Sequence, residues 1–166
     1  MKKIVIMALM FFIIFTINAY TENSKWSFSG GAFYVHYVDG GGFMDINAII
    51  LNKNSFDIRG HLLFRGGGNP DRAFFTFSPK LSFGQYFRDK LFFCYGFAEG
   101  GIGIFKNQYS QFDEMPLAYT FGGGGGIEVY LTENFSMYFE TGILANILAD
   151  EFKNGGLFQI GWKHRL

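Results

Sequence analysis

A chain of 166 residues with 14 basic and 14 acidic side chains carries no formal net charge, so it lacks the basic surplus that a nucleic-acid partner calls for. Its 23 Phe, 9 Tyr and 23 Gly, set against only 3 Pro, favour strands over the Leu-, Ala-, Glu- and Lys-rich helices of soluble bundles. One cysteine, Cys94, excludes an internal disulfide, and with no metal-ligand spacing around it the residue reads as a small strand side chain.

In chain order the first element is not part of the fold. Lys2 and Lys3 precede an apolar run from Ile4 to Ile17, followed by Asn18, Ala19 and Tyr20, which is the order of a secretory signal peptide. Cleavage after Ala19 makes residues 1–19 the leader and residues 20–166 a single mature domain with 12 basic and 14 acidic side chains. The run is shorter than the roughly 20 residues a membrane-spanning helix needs. No Cys follows it, which argues against a lipid anchor.

The remainder alternates with period 2, the signature of strands with two unlike faces. Eight such spans are expected, at 25–37, 43–52, 55–66, 73–86, 91–105, 118–131, 135–148 and 156–166. Tight polar connections at Asn52–Asn54, Phe87–Lys90 and Thr132–Asn134 alternate with Gly-rich or longer ones at Val38–Gly42, Gly66–Arg72, Lys106–Leu117 and Ala149–Gly155. Short turns at one end and longer loops at the other, with both termini at the short end, predict an all-β, eight-stranded antiparallel up-and-down transmembrane β-barrel.

The third span shows the pattern most plainly. Phe56, Ile58, Gly60, Leu62 and Phe64 interleave with Asp57, Arg59, His61, Leu63 and Arg65. In the fourth, Phe75, Phe77, Leu81 and Phe83 interleave with Thr76, Ser78, Lys80 and Ser82; Pro79 falls on the apolar face, lacks a ladder N–H and predicts a bulge. In the fifth, Phe93, Tyr95 and Phe97 share a face with Glu99, and Ala32 to Tyr37 is apolar on both faces. Either the interior carries aromatic rings or a bulge shifts the phase.

The inner face collects Asp45, Asp57, Glu99, Glu128 and Glu140 against Arg59, Arg65, Lys80, Lys163 and Arg165, with His61 among them. An eight-stranded barrel has an interior just wide enough for side chains. Buried ions are tolerable only when paired, so these residues predict a packed structural ionic network, with Glu140 beside Lys163 and Lys80 beside Glu99, and no open pore. The run Gly122–Gly126 is not a phosphate loop, because no Lys-Ser or Lys-Thr follows it and Ile127–Leu131 continues a strand. Its glycines make room for bulky neighbours such as Tyr138, and outward glycines are covered by rings. Trp26, Phe43, Tyr86, Phe87, Tyr119, Tyr130, Phe135 and Trp162 are expected as interfacial girdles. No catalytic, cofactor-binding or metal-binding set emerges around His36, His61 or His164.

The stretch FGGGGGIEVYLTENFSMYFE, Phe121 to Glu140, and the strand Tyr95 to Phe105 with Gly96, Glu99, Gly100, Gly101 and Gly103, resemble the small outer-membrane β-barrel domain family of OmpA-like, OmpX-like and opacity-type barrels. The resemblance implies a bacterial outer-membrane location, a lipid surround, and assembly machinery that reads the last strand. Phe158, Ile160 and Trp162 fit that reading, whereas His164 and Leu166 depart from the family's terminal aromatic pattern. The expected role is a monomeric, non-enzymatic structural or surface-interaction barrel without cofactor. A lipid-modifying barrel or narrow solute conduit is the alternative, for which loop residues such as Asp113 and Glu114 are the test. A soluble lipocalin-like carrier requires the opposite polarity of the two faces.

Overall fold

Backbone groups in a strand find partners only on neighbouring strands, and the alternation of faces leaves one way to satisfy all of them at once, which is to close the sheet on itself. The computed structural model describes residues 26–36, 39–53, 55–69, 72–106, 117–148 and 151–166, and within these the chain does close. The strands are β1 (Trp26–Val35), β2 (Asp39–Lys53), β3 (Phe56–Asn69), β4 (Arg72–Phe87), β5 (Phe92–Lys106), β6 (Leu117–Tyr130), β7 (Phe135–Leu148) and β8 (Glu151–Arg165). They run in sequence order around a closed barrel, each antiparallel to its neighbours, and β8 returns to β1 from Ser27↔Arg165 to Val35↔Leu157. The leader expected at residues 1–19 and the centres of the longer loops lie outside the described residues.

Three connections read as Gly-rich loops are largely strand. Gly40, Gly41 and Gly42 pair with Tyr34, Phe33 and Ala32, Gly66 to Asn69 pair with β4, and Glu151 to Gly155 pair with β7. Glycine disfavours an isolated strand, but ladder hydrogen bonds fix it here, on both sides at Gly41, Gly42, Gly66 and Gly67 and on one side at Gly40, Gly68 and Gly155. Elsewhere the need for glycine is steric. A Cβ on Gly31 would meet the Ile160 carbonyl oxygen at 2.1 Å, and one on Gly124 would meet that of Thr141 at the same distance, so only glycine permits these close strand approaches.

The expected bulge at Pro79 is absent. The β4–β5 register runs unshifted from Phe77↔Ile102 to Lys80↔Glu99, and Pro79 pairs with Leu62 on the other side, so the missing N–H is absorbed without an extra residue. The irregularity falls in β2 instead, between Ile49 and Leu51, where Ile50 is the added residue and lies against Gly60.

The outward face is apolar apart from Gln85 and Thr141. Outward positions from Trp26 to Tyr34, Gly40 to Ala48, Phe56 to Gly68, Ala73 to Phe87, Phe92 to Ile104, Leu117 to Val129, Phe135 to Ile147 and Gly156 to Trp162 hold no Asp, Glu, Lys or Arg. Large side chains there are strongly exposed, as at Phe75 (61%), Ile143 (62%) and Leu81 (55%). Bare glycines on this face lie under rings: Gly66 under Phe75, Gly96 under Phe83, Gly30 beside Trp162.

Candidate functional site

The inner face of the same strands inverts this chemistry. Asp45, Asp57, Arg59, His61, Arg65, Lys80, Glu99, Glu128, Glu140 and Lys163 all point into the lumen and are buried. Each arrives there by parity, since residues two apart on a strand share a face. β3 alone delivers Asp57, Arg59, His61, Leu63 and Arg65 in succession from the short-turn end toward the loop end.

Nearest the short turns, Arg59 is the hub. Its guanidinium donates to Glu128 at 2.7 Å and to Asp57 at 3.2 Å, and to the hydroxyls of Tyr86 and Tyr130 at 2.8 and 3.0 Å. The guanidinium carbon lies 3.9 Å from the centre of the Phe93 ring. Glu128 also accepts from Lys163 at 2.7 Å and from Ser136 at 2.5 Å, so one carboxylate serves two cations. Asp57 accepts in turn from Tyr86 and Asn52.

A second group forms around the Asp45 carboxylate, which accepts from Ser29 at 2.9 Å, Asn47 at 3.2 Å and the Nδ1–H of His61 at 2.9 Å. His61 Nε2 lies 2.8 Å from the Ser82 hydroxyl. The order carboxylate, imidazole, hydroxyl is that of a hydrolytic relay. Here, however, all three side chains are buried within the ring, Ser82 at 1% exposure, and no ester carbonyl outside the barrel can approach it.

The third group spans the lumen. Arg65 grips both oxygens of Glu99 at 2.7 and 3.0 Å and donates from Nε to Gln159, whose amide donates to Glu140 at 2.9 Å. Glu140 also accepts from Lys80 and, at 2.9 Å, from Tyr95. Toward the loop end the interior turns apolar, with Phe33, Val35, Leu63, Phe74, Leu144 and Leu157 closely packed.

Several positions differ from the sequence reading. Lys80 and Glu99 are register neighbours, yet Lys80 binds Glu140 on β7 and Glu99 binds Arg65 on β3. Likewise Glu140 stands opposite Gln159, and Lys163 reaches Glu128. In a narrow closed ring, long side chains meet across the lumen as readily as along the wall. Arg165 is half-buried at the rim over the Tyr130 ring, 5.8 Å away, and joins none of the ion pairs found among the described residues. Phe43, Tyr86 and Tyr130 face inward rather than forming a girdle, the two tyrosines because Arg59 engages their hydroxyls. Trp26, Phe87, Tyr119 and Trp162 do face outward. The apolar inner face of β5 is real: Phe93, Tyr95 and Phe97 are buried in the lumen with no phase shift. Ser82 and Gln159, on the polar faces of their strands as expected, join the network, and so do Ser27, Ser29, Asn47 and Ser136, whose inward parity is the signal in the sequence that marks them.

A closed ring of eight antiparallel strands with a charged, side-chain-filled interior and an uncharged exterior decides the architecture. The fold is that of the small outer-membrane β-barrels. Ail, the attachment invasion locus protein of Yersinia pestis, superposes with a TM-score of 0.55 at 17% identity, over 85% of this chain and 97% of that one. The N-terminal β-barrel domain of Pseudomonas aeruginosa OprF gives 0.54 at 11% identity, over 84% and 97%. Neisserial surface protein A gives 0.51 at 14% identity, over 85% and 95%. No protein-family model and no curated protein sequence matches the chain. At these identities the likeness to the three outer-membrane barrels is one of fold.

Proposed function

We propose that this chain is an integral protein of a bacterial outer membrane, exported by the leader at residues 1–19, with residues 20–166 forming a monomeric barrel that has a structural or surface-contact role and no enzymatic activity. One observation carries the reading: every outward strand position between the two rims lacks a formal charge, while the ions are paired inside. In water that arrangement would expose a continuous apolar belt, and in lipid it buries one. The apolar alternation of Phe158, Ile160 and Trp162 on β8 supports recognition of that strand by outer-membrane assembly machinery. The segment 106–117, long enough to reach beyond the lipid, is the part proposed to meet the outside.

The test is membrane fractionation followed by electrophoresis with and without boiling. A heat-modifiable band in the outer-membrane fraction is expected; recovery as a soluble periplasmic protein would sink the proposal. Protease treatment of whole cells should cut first within 106–117. A lipid-modifying role meets a geometric objection, because the Ser82–His61–Asp45 relay faces the lumen and not the lipid. A fluorophosphonate probe should therefore leave the folded barrel unlabelled, and labelling at Ser82 would replace the structural reading with an enzymatic one. A solute conduit would require the Arg65–Glu99 and Lys80–Glu140 pairs to exchange partners, and planar-bilayer conductance reports on that directly.

A further inference from the structure

Two of the three short turns stand side by side at one edge of the barrel. The backbone N–H of Tyr86, near the end of β4, donates to the Ser55 carbonyl at 2.7 Å, and the Gln85 amide reaches the Ser55 hydroxyl at 3.5 Å. The β2–β3 turn is thus fastened against the strand that enters the β4–β5 turn, and Lys53 shares an edge with Arg88 and Lys90. All three cations are exposed, and none forms an ion pair among the described residues. Asp89 is the single acid in residues 53–55 and 87–91, whereas the third short turn, 132–134, carries Glu133 and no cation. The basic surplus is local to this edge.

The backbone marks the same place. Arg88, Asp89 and Lys90 have φ of 47°, 52° and 70°, a left-handed turn closed by the Leu91 N–H on the Arg88 carbonyl at 3.0 Å. Glycine, asparagine and aspartate enter this region readily, and long basic side chains do so at a cost. Arg88 and Lys90 therefore occupy positions where the fold favours other residues, and no ion pair within the barrel accounts for them. Beside them Phe56 and Phe87, which end the outward rows of β3 and β4, are exposed together with Leu91. The cations stand where the apolar belt meets water, at the height of a lipid phosphate. The charge alone would draw any acidic polymer, but charge and apolar rim together match an anionic lipid.

We propose that this edge holds the headgroup of an anionic glycerophospholipid, phosphatidylglycerol in its simplest form, with Lys53, Arg88 and Lys90 around the phosphodiester and the acyl chains against Phe56 and Phe87. The proposal deepens the membrane-barrel reading and rests on it. It assigns one sector of the barrel to anionic lipid, in the leaflet on the short-turn side.

The experiment places the folded chain in phosphatidylcholine vesicles with bimane attached to Cys94, the single cysteine, which is exposed on β5 next to the β4–β5 turn. Quenching by doxyl-labelled phosphatidylglycerol is compared with quenching by doxyl-labelled phosphatidylcholine. The anionic lipid should quench about fivefold more efficiently, the worth of one interfacial cation, and the two should approach parity in about 0.5 M sodium chloride. Sodium phosphate at matched ionic strength should act no more strongly than chloride; a selective loss in phosphate would mean that the turns hold a free anion and would overturn the proposal. Lys53→Gln combined with Arg88→Gln and Lys90→Gln, all at exposed positions without ion-pair partners, should abolish the preference and keep the heat-modifiable band. Arg88→Asn with Lys90→Asn should abolish it too while the unfolding midpoint of that band holds or rises; a lower midpoint would assign the cations to the fold and count against a lipid site. Equal quenching by the two lipids with the band present would overturn the proposal and leave the barrel reading intact, and retention on isolated peptidoglycan that the Gln variant loses would then assign the turns to the wall. Absence of the band would sink the barrel reading, and this proposal with it.

Discussion

β3 and β5 face the same lumen with opposite chemistry. β3 contributes Asp57, Arg59, His61 and Arg65, whereas β5 contributes Phe93, Tyr95 and Phe97 before its single acid, Glu99. The two faces are complementary: Arg59 of β3 lies over Phe93, Arg65 grips Glu99, and Lys80 of the strand between them stands 4.4 Å from the Phe97 ring centre. Rings on β5 thus do what water does for an exposed cation, offering the negative face of a π-system where solvent is scarce. Toward the short turns the interior of so narrow a ring is built of ions resting on rings, and toward the loop end it gives way to packed apolar side chains.

That contrast can be broken from the charged side, from the lipid side and from the aromatic side, in decreasing order of effect. Glu128→Ala leaves Arg59 and Lys163 without their shared carboxylate, so a loss of about 3–5 kcal/mol is expected in urea unfolding from lipid vesicles. A loss below about 1 kcal/mol, the level of an exposed pair, would show that the network does not hold the lumen together. Leu81→Arg, midway along the outward face of β4, should cost about 2–4 kcal/mol in the same assay. At exposed Leu91, in the β4–β5 turn, the same substitution should stay within about 0.5 kcal/mol. If the two variants behave alike, the outward face is not in lipid. Phe93→Leu keeps much of the volume but removes the ring beneath Arg59, and a loss of about 1–2 kcal/mol is expected. A matching change at outward Phe121, which has no cation over it among the described residues, should cost less than this, and the difference between the two isolates the ring's share.

The fold was legible because parity is local: whether a residue faces lipid or lumen depends only on its neighbours at two-residue spacing. Asp57, Arg59, His61 and Arg65 could be placed on one face without knowledge of any other strand. Ion partners were not legible, because Arg65 meets Glu99 and Lys80 meets Glu140 through the stagger and closure of the whole ring. Strand ends misled at the glycines, which punctuate local sequence but here are held in ladders, as Gly41 is between Phe33 and Gly67 and Gly155 is against Leu144. Pro79 misled for a related reason. The local rule demands an irregularity, yet the ladder on its β5 side resumes in the same register beyond it. Tyr86 and Tyr130 were misassigned because aromatic residues near strand ends suit both a membrane interface and a cation, and only the position of Arg59 decides between them.

The backbone N–H of Leu166 donates to the carbonyl of Trp26 at 3.1 Å, which brings the first and last strands to the same point on the short-turn rim. The order in which the polypeptide is written is therefore separable from the shape it makes. A circular permutant that joins residue 166 to residue 26 by a brief linker and is reopened in the β2–β3 turn, next to Ser55, would keep all eight ladders. For engineering, this turns a membrane cylinder with fixed ends into one whose ends can be chosen, so that a fused tag or binding module can be presented from any of several points around its edge.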